Sequence, residues 1–233
     1  MKFLAIIPAR KNSKEILNKN IKKFNNKPLI YWTIKAAKKS KCFEKIIVST
    51  DSEKIKKIST NMGVECPYLR PKSLSSDKSN VHKAMLDIMK YYKKKNFQTD
   101  VVVLLQPTSP LREASDIKKC CSLFERLKPE SLVSVTKLPH NYNPENLYEL
   151  KGQNLISKSK NRKLYLRQQQ KTFYARNGAS IYMTRAPKLK KYILGGKIVG
   201  YKMNNLKSID INNLNDFILA EIIQKKFKYN FKH

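Results

Sequence analysis

Apolar and polar positions alternate between two rhythms along this chain. FLAIIP (3–8) is an unbroken apolar run, the pattern of a strand covered on both faces, and PLIYWTIKAAKK (28–39) opens on proline and continues with apolar residues at helical spacing. KIIVSTD (45–51) predicts a second buried strand, SEKIKKISTNMG (52–63) a helix closed by Gly63, and VECPYL (64–69) a short strand. NVHKAMLDIMKYYKKK (80–95) is amphipathic, DVVVLLQPTSPLR (100–112) is a strand running into a polar turn, ASDIKKCCSLFERL (114–127) is a helix and SLVSVTKL (131–138) a strand. Strands alternating with helices predict an α/β fold, a mainly parallel sheet with helices on both faces. In such sheets ligands bind beyond the carboxyl ends of the strands, which is where segments 9–20 and 106–112 and Asp51 emerge.

From 139 to 176 the rhythm breaks into short, turn-punctuated pieces, and this stretch reads as an inserted β-rich arm. NGASIYMT (177–184), KIVGYKM (197–203) and KSIDI (207–211) return to strand patterning, and NLNDFILAEIIQKKFKY (213–229) is a closing amphipathic helix. With no internal repeat and no low-complexity linker, residues 1–233 read as one domain carrying an arm.

Composition narrows the class. A chain of 233 residues with 41% hydrophobic content can bury one good-sized core, has no apolar run near the ~18 residues of a membrane span, and opens on a stretch too short for a signal peptide. A cytoplasmic location is expected. Cys42, Cys66, Cys120 and Cys121 form no CxxC pair and no zinc spacing with His82, His140 and His233, so they read as reduced, partly buried thiols.

The net charge of +32 raises the question of a nucleic-acid partner. Of the 49 basic residues only eight are Arg, the lysines are spread through almost every segment, and no basic stretch interleaves with aromatics. Phosphate forks and base readout favour Arg, so general lysine enrichment is the better reading and no nucleic acid is expected as partner. In so lysine-rich a chain, an Arg marks a place where a planar, bidentate donor is wanted. Arg10, Arg70, Arg112 and Arg167 all fall in motif candidates.

The loop after the first strand, ARKNSKEILNKN (9–20), carries Arg10, Lys14 and Lys19 but no glycine. Phosphate loops usually approach their ligand through glycine amides; this one would hold a polyanion by charge. IPAR..SK....KN (7–20), LLQPTSPLR (104–112), RQ.....Y..NGA (167–179) and SIDI (208–211) follow in this order, and together they resemble the acylneuraminate cytidylyltransferase family, the CMP-sialic acid synthetases and their pseudaminic and legionaminic acid relatives. The resemblance spans nearly the whole chain. It implies a Rossmann-like nucleotidyltransferase sheet and a homodimer whose arms reach into each other's sites. The implied reaction joins CTP to a nine-carbon 2-keto sugar acid, releasing pyrophosphate with Mg²⁺, in cell-surface polysaccharide biosynthesis.

By matched motif, the resemblance implies that Arg10, Ser13, Lys14 and Lys19 hold the triphosphate, with Asn20 near the nucleotide and Arg70 beside the cytosine. Arg70 could instead pair with Asp77. Gln106 would face the sugar or simply end its strand, Arg167 would take the acid's carboxylate, and Gln168 and Asn177 would add hydrogen bonds. Tyr174 could equally be arm packing, and Lys137 could also reach the acid. Arg112 reads as a cap on the acidic start of the next helix. Asp210 would hold Mg²⁺ through a hard oxygen, Arg10, Lys19 and Asp210 forming the catalytic set.

Two departures stand out. The family commonly reads IDID where this chain has IDIN, so Asn212 offers at most an uncharged amide oxygen to a metal, and Asn212 or Asn213 could cap the final helix with Asp216. SKG becomes SKE, and Glu15 must point away from a triphosphate or pair with a lysine. The alternatives are a synthetase for the eight-carbon acid Kdo, or a catalytically impaired basic RNA-binding protein on the same scaffold.

Overall fold

The computed structural model describes residues 1–13, 15–75, 80–158 and 171–230. In chain order the elements are β1 (Phe3–Pro8), β2 (Lys23–Phe24), β3 (Lys27–Pro28), α1 (Leu29–Ser40), β4 (Phe43–Ser49), α2 (Glu53–Asn61), α3 (Val81–Lys94), β5 (Val101–Leu104) and α4 (Ala114–Leu127). There follow β6 (Ser131–Lys137), β7 (Tyr148–Lys151), β8 (Asn154–Ser157), β9 (Tyr174–Arg176), β10 (Tyr182–Arg185), β11 (Ile198–Lys202) and α5 (Leu214–Asn230). The main sheet runs β11-β6-β10-β5-β1-β4, with β9 pairing the far end of β6.

The sheet is mixed. β1 pairs in parallel with β4 and β5, and β11 with β6, while β10 runs antiparallel between β5 and β6. The continuous apolar runs are explained by burial on both faces. Phe3, Ala5 and Ile7 of β1 and Val101 and Val103 of β5 point toward Ile30 and Ile34 of α1 and Ile117 and Phe124 of α4. Their alternate neighbours Leu4, Ile6, Val102 and Leu104 pack on Met85, Ile88 and Tyr92 of α3. A third cluster seats α5 on the small β2–β3 hairpin, where Phe24 and Phe217 meet edge to face at 5.4 Å between ring centroids.

Two expected strands do not form. VECPYL makes only isolated parallel bridges, Glu65 to Ile47 and Leu69 to Thr50. KSIDI instead holds a short 3-10 turn (Leu206–Ser208) and then leaves the sheet, because Ile211 N–H donates to the Thr108 carbonyl at 2.8 Å rather than to a strand. Among the described arm residues, β7 and β8 form a separate antiparallel hairpin. Among the described residues, no helix is long and apolar enough to cross a membrane.

Candidate active site

At the carboxyl ends of β1 and β5 the chain leaves a cleft of about 390 Å³, walled by Arg10, Ser13, Lys19, Asn20, Arg70 and Gln106. The glycine-free loop over it is shaped by asparagine, a residue whose short amide tolerates the left-handed region: Asn18 takes φ +53°, and Asn25 and Asn26 in the following hairpin take φ +46° and +64°. Asn20, buried, donates from Nδ2 to the Arg10 carbonyl at 2.9 Å, and Lys11 N–H donates to Asp51 Oδ1 at 2.7 Å. Asp51 thus holds the loop from the neighbouring strand end.

Lys19 ties this loop to the C-terminal segment. Its Nζ donates to the carbonyls of Ile211 at 2.8 Å and Asn212 at 3.1 Å. Burial pulls its pKa down and Arg10 adds to that, while Asp210, Asp216 and Glu15 oppose it. Arg70 is 8% exposed and its Nε has no hydrogen-bond partner among the described residues. Its pKa is lowered by burial and by Arg10, with Asp51 countering. Arg10 thus acts on both Lys19 and Arg70, and three cations gathered around one cleft make a receptor for a polyanion.

Asp210 stands next to this cleft. Burial raises its pKa, against the Thr108 hydroxyl, Lys19 and the Asn212 amide. Its Oδ1 is buried with no hydrogen-bond partner among the described residues, a state that a bound cation would relieve. Gly178 explains the NGA motif: at φ +64°, a Cβ there would lie 2.5 Å from Asp210 Cγ. The glycine lets backbone and carboxylate touch.

Gln106 divides the cleft from a second cavity of about 410 Å³, lined also by Arg176, Gly178 and Tyr182. Its N–H donates to the Ala179 carbonyl at 3.0 Å, which ties the strand end to the NGA turn. Burial raises the Tyr182 pKa, with Arg176 hydrogen-bonded to it and drawing it back. Arg176 went unnoticed in the sequence; its place directly before NGA, in a chain of eight arginines, was the available signal.

Other expected residues lie elsewhere. Asn177 is 4% exposed and engaged inside the protein: Oδ1 accepts from Ser134 Oγ at 2.7 Å, and Nδ2 donates to Ser208 Oγ at 3.0 Å. It positions the Gly178 turn rather than offering its amide to a sugar. Arg112 does not cap α4. The cap is a reciprocal Glu113–Asp116 box, while Arg112 Nη1 donates inward to the Ser180 carbonyl at 2.6 Å. Glu15 does not turn away; it lines the same cleft as Arg10 and its charge acts on Lys19. Asn213, not Asn212, caps α5, accepting from Asp216 N–H at 3.0 Å, while Asn212 Nδ2 donates to the Asp210 carbonyl at 3.2 Å. Tyr174 is exposed on β9, with Lys202 over its ring at 5.7 Å, and Lys137 lines a further cavity with His140 and Phe173. Lys14, Asp77, Arg167 and Gln168 lie outside the described residues.

An α/β sheet with a polycationic cleft at its strand ends, and a half-buried carboxylate beside it, defines a nucleotide-handling enzyme architecture. Residues 4–230 match the profile of the cytidylyltransferase family, and the chain belongs to that family. It is 33% identical over 225 residues to CMP-N,N'-diacetyllegionaminic acid synthase of Legionella pneumophila, covering 95% of both chains. It is 35% identical to the N-acylneuraminate cytidylyltransferase of Escherichia coli over 97% of its own length, but spans only 52% of that relative. Its fold matches a solved structure of CMP:2-keto-3-deoxy-manno-octonic acid synthetase complexed with CTP, with TM-score 0.71 at 13% identity, covering 97% of this chain and 100% of the other.

Proposed function

We propose that this chain activates a nine-carbon 2-keto sugar acid, of the sialic, legionaminic or pseudaminic type, by transferring CMP from CTP to its anomeric hydroxyl. The observation that carries this is the end-to-end match to a CMP-legionaminic acid synthase, 33% identical over 95% of each chain. The anomeric oxygen forms a bond to the α-phosphorus as the bond to the bridging α,β-oxygen breaks. Pyrophosphate leaves, and the hydroxyl proton passes to solvent.

Arg10, Ser13, Lys14 and Lys19 hold the triphosphate, and Asn20 keeps the Arg10 peptide in place. Arg70 lies at the nucleotide side of the cleft. Gln106, between the two cavities, faces the acid, and Arg176 supplies a guanidinium at the second cavity; Arg167 and Gln168 keep the roles that the family resemblance implies, carboxylate ligand and hydrogen-bond donor. Catalysis by such a site is positioning plus charge stabilisation.

The buried, unpartnered Oδ1 of Asp210 supports a Mg²⁺ requirement, and the donor set suits a hard cation completed by phosphate and water. Asp210 would hold the ion, with the Asn212 amide oxygen as an uncharged second ligand. When bound, it neutralises charge on the phosphates of CTP. Among the described residues no group of three or more His, Cys, Asp or Glu side chains could hold a metal alone, in keeping with a metal shared with substrate.

Homodimerisation through the arm is part of the same reading. On the β7–β8 hairpin the cross-strand pair Leu150 and Leu155 is 66% and 65% exposed, with Tyr148 on the same face at 55%. A partner subunit would cover this apolar face. A CTP-consuming reaction of this kind belongs in the cytoplasm.

The test is pyrophosphate release from CTP, with and without Mg²⁺, across sialic, legionaminic, pseudaminic and Kdo acids. Metal-dependent turnover on one nine-carbon acid is expected. Turnover on Kdo alone would move the assignment to the eight-carbon branch, and a folded protein that does not bind CTP would overturn it.

A further inference from the structure

Between α1, the start of α4 and Gln224 of α5 lies another cavity, of about 400 Å³, that shares no lining residue with the nucleotide cleft. Its apolar wall is Trp32, Ala36, Pro110 and Leu111. Its charges are lopsided: Lys35, Lys39, Lys207 and Arg112 stand against Glu113 alone. Glu113 is already engaged, with its carboxylate 2.6 Å from Lys207 Nζ and closing the α4 capping box. Lys35 lies over the Trp32 ring at 5.2 Å, which keeps one ammonium beside the indole.

Arg112 is the decisive residue. It is 3% exposed, and its Nη1 reaches the carbonyls of Ser180 and Gln106, but Nε and Nη2 have no hydrogen-bond partner among the described residues. The carboxylate whose charge acts on it, Asp116, makes no hydrogen bond to the guanidinium, and a buried guanidinium paired so incompletely is costly. A lysine-rimmed cavity whose wall includes Arg112 provides a place for a second, better-paired anionic group.

We propose that this cavity is a second binding site, for a small organic anion that carries one carboxylate or phosphate group on a flat, apolar body. The body lies against Trp32 and Leu111, and the anionic group faces Arg112 and the lysines. Because Arg112 also donates to the Gln106 carbonyl at 3.4 Å, an occupant that meets Arg112 is one hydrogen bond away from the peptide that carries a cleft residue.

Trp32 is the only tryptophan of the chain, so indole emission reports on this cavity's wall and on the Phe24 cluster behind it, and the CTP and Arg10→Ala arms separate the two. The full chain is titrated with phenyl phosphate, cyclohexanecarboxylate, inorganic phosphate and neutral cyclohexanol. A saturable emission change is expected with at least one of the two organic anions, and which of them binds more tightly identifies the preferred head group. Inorganic phosphate should bind about tenfold more weakly, lacking apolar area to bury, and cyclohexanol weaker still. The response should survive saturating CTP and the Arg10→Ala change, and its midpoint should rise about tenfold in Lys39→Ala/Lys207→Ala. Retained CTP binding shows that this variant is folded. Three results would overturn the site: no saturable response to either organic anion, a response equal for cyclohexanol, or one abolished by CTP while the lysine variant behaves as the parent.

Discussion

At the scale of single residues, Gly178 and Asp210 form one device. The carboxylate needs the space a side chain at 178 would fill, and the backbone there has a left-handed φ. Gly178→Ala should therefore displace Asp210, lowering stability by about 1–3 kcal/mol and turnover by about a hundredfold, with CTP affinity changed far less. Turnover and CTP titration on the same preparation would separate these effects. Asp210 itself predicts a trade between stability and activity. Its folded-state pKa is raised, first by burial, so the ionised form is the one the fold disfavours. Asp210→Asn should melt higher than the parent above the ordinary carboxylate range, the gap widening as pH rises through the raised pKa and closing at lower pH. The same variant should lose turnover and any thermal stabilisation by Mg²⁺. A melting-temperature series against pH, with and without Mg²⁺, checks both. SIDI pointed to Asp210 as a candidate; that its Oδ1 is buried without a hydrogen-bond partner among the described residues was not legible, since Gly178, Thr108 and Lys19, which surround it, lie far away in the sequence.

At the scale of elements, the loop and helix that frame the cleft depend on a small aromatic cluster. Phe24 is fully buried and meets both Trp32 and Phe217, and Lys19 reaches the 211–212 carbonyls just before α5 begins. Phe24→Ala should cost about 3–5 kcal/mol by chemical denaturation and should weaken CTP binding besides, because α5 and the basic loop lose their common support. The helices were readable because caps and periodicity are local. Asn80 caps α3 by accepting from His82 N–H at 2.9 Å, and Gly63 takes φ +69° just after α2, close to where the pattern ends. VECPYL and KSIDI misled because alternation alone says nothing about whether a neighbouring strand has a free edge.

At the scale of the whole molecule, the +32 charge is spread along the chain while the described cations that wall the cleft are few. The quaternary structure is where the chain leaves an obvious gap, the uncovered face of the β7–β8 hairpin. If the proposed dimer forms through this face, replacing Leu150 and Leu155 with Arg should leave the main sheet intact and convert that dimer to a monomer in size-exclusion chromatography with light scattering; a parent that is itself monomeric would overturn the proposed assembly. Because each arm is read as completing the other subunit's site, turnover should fall by at least about tenfold while CTP binding persists.

The sequence by itself determined the alternation of strands and helices, their burial on two faces, and the positions of the basic loop, the QPTSPLR turn and the NGA and SIDI motifs. These depend on periodicity and on short runs whose residue types are physically constrained. Only the tertiary structure decided which motif residues face a cleft and which hold it together. Asn177 and Arg112 spend their hydrogen bonds inside the protein, Arg176 enters the second cavity, and Lys19 bridges 192 residues to reach Ile211. A side chain's chemistry is written in its residue type, but its partners are set by long-range packing. Burial then makes every unpaired polar atom costly, and so selects which of those partners it must have.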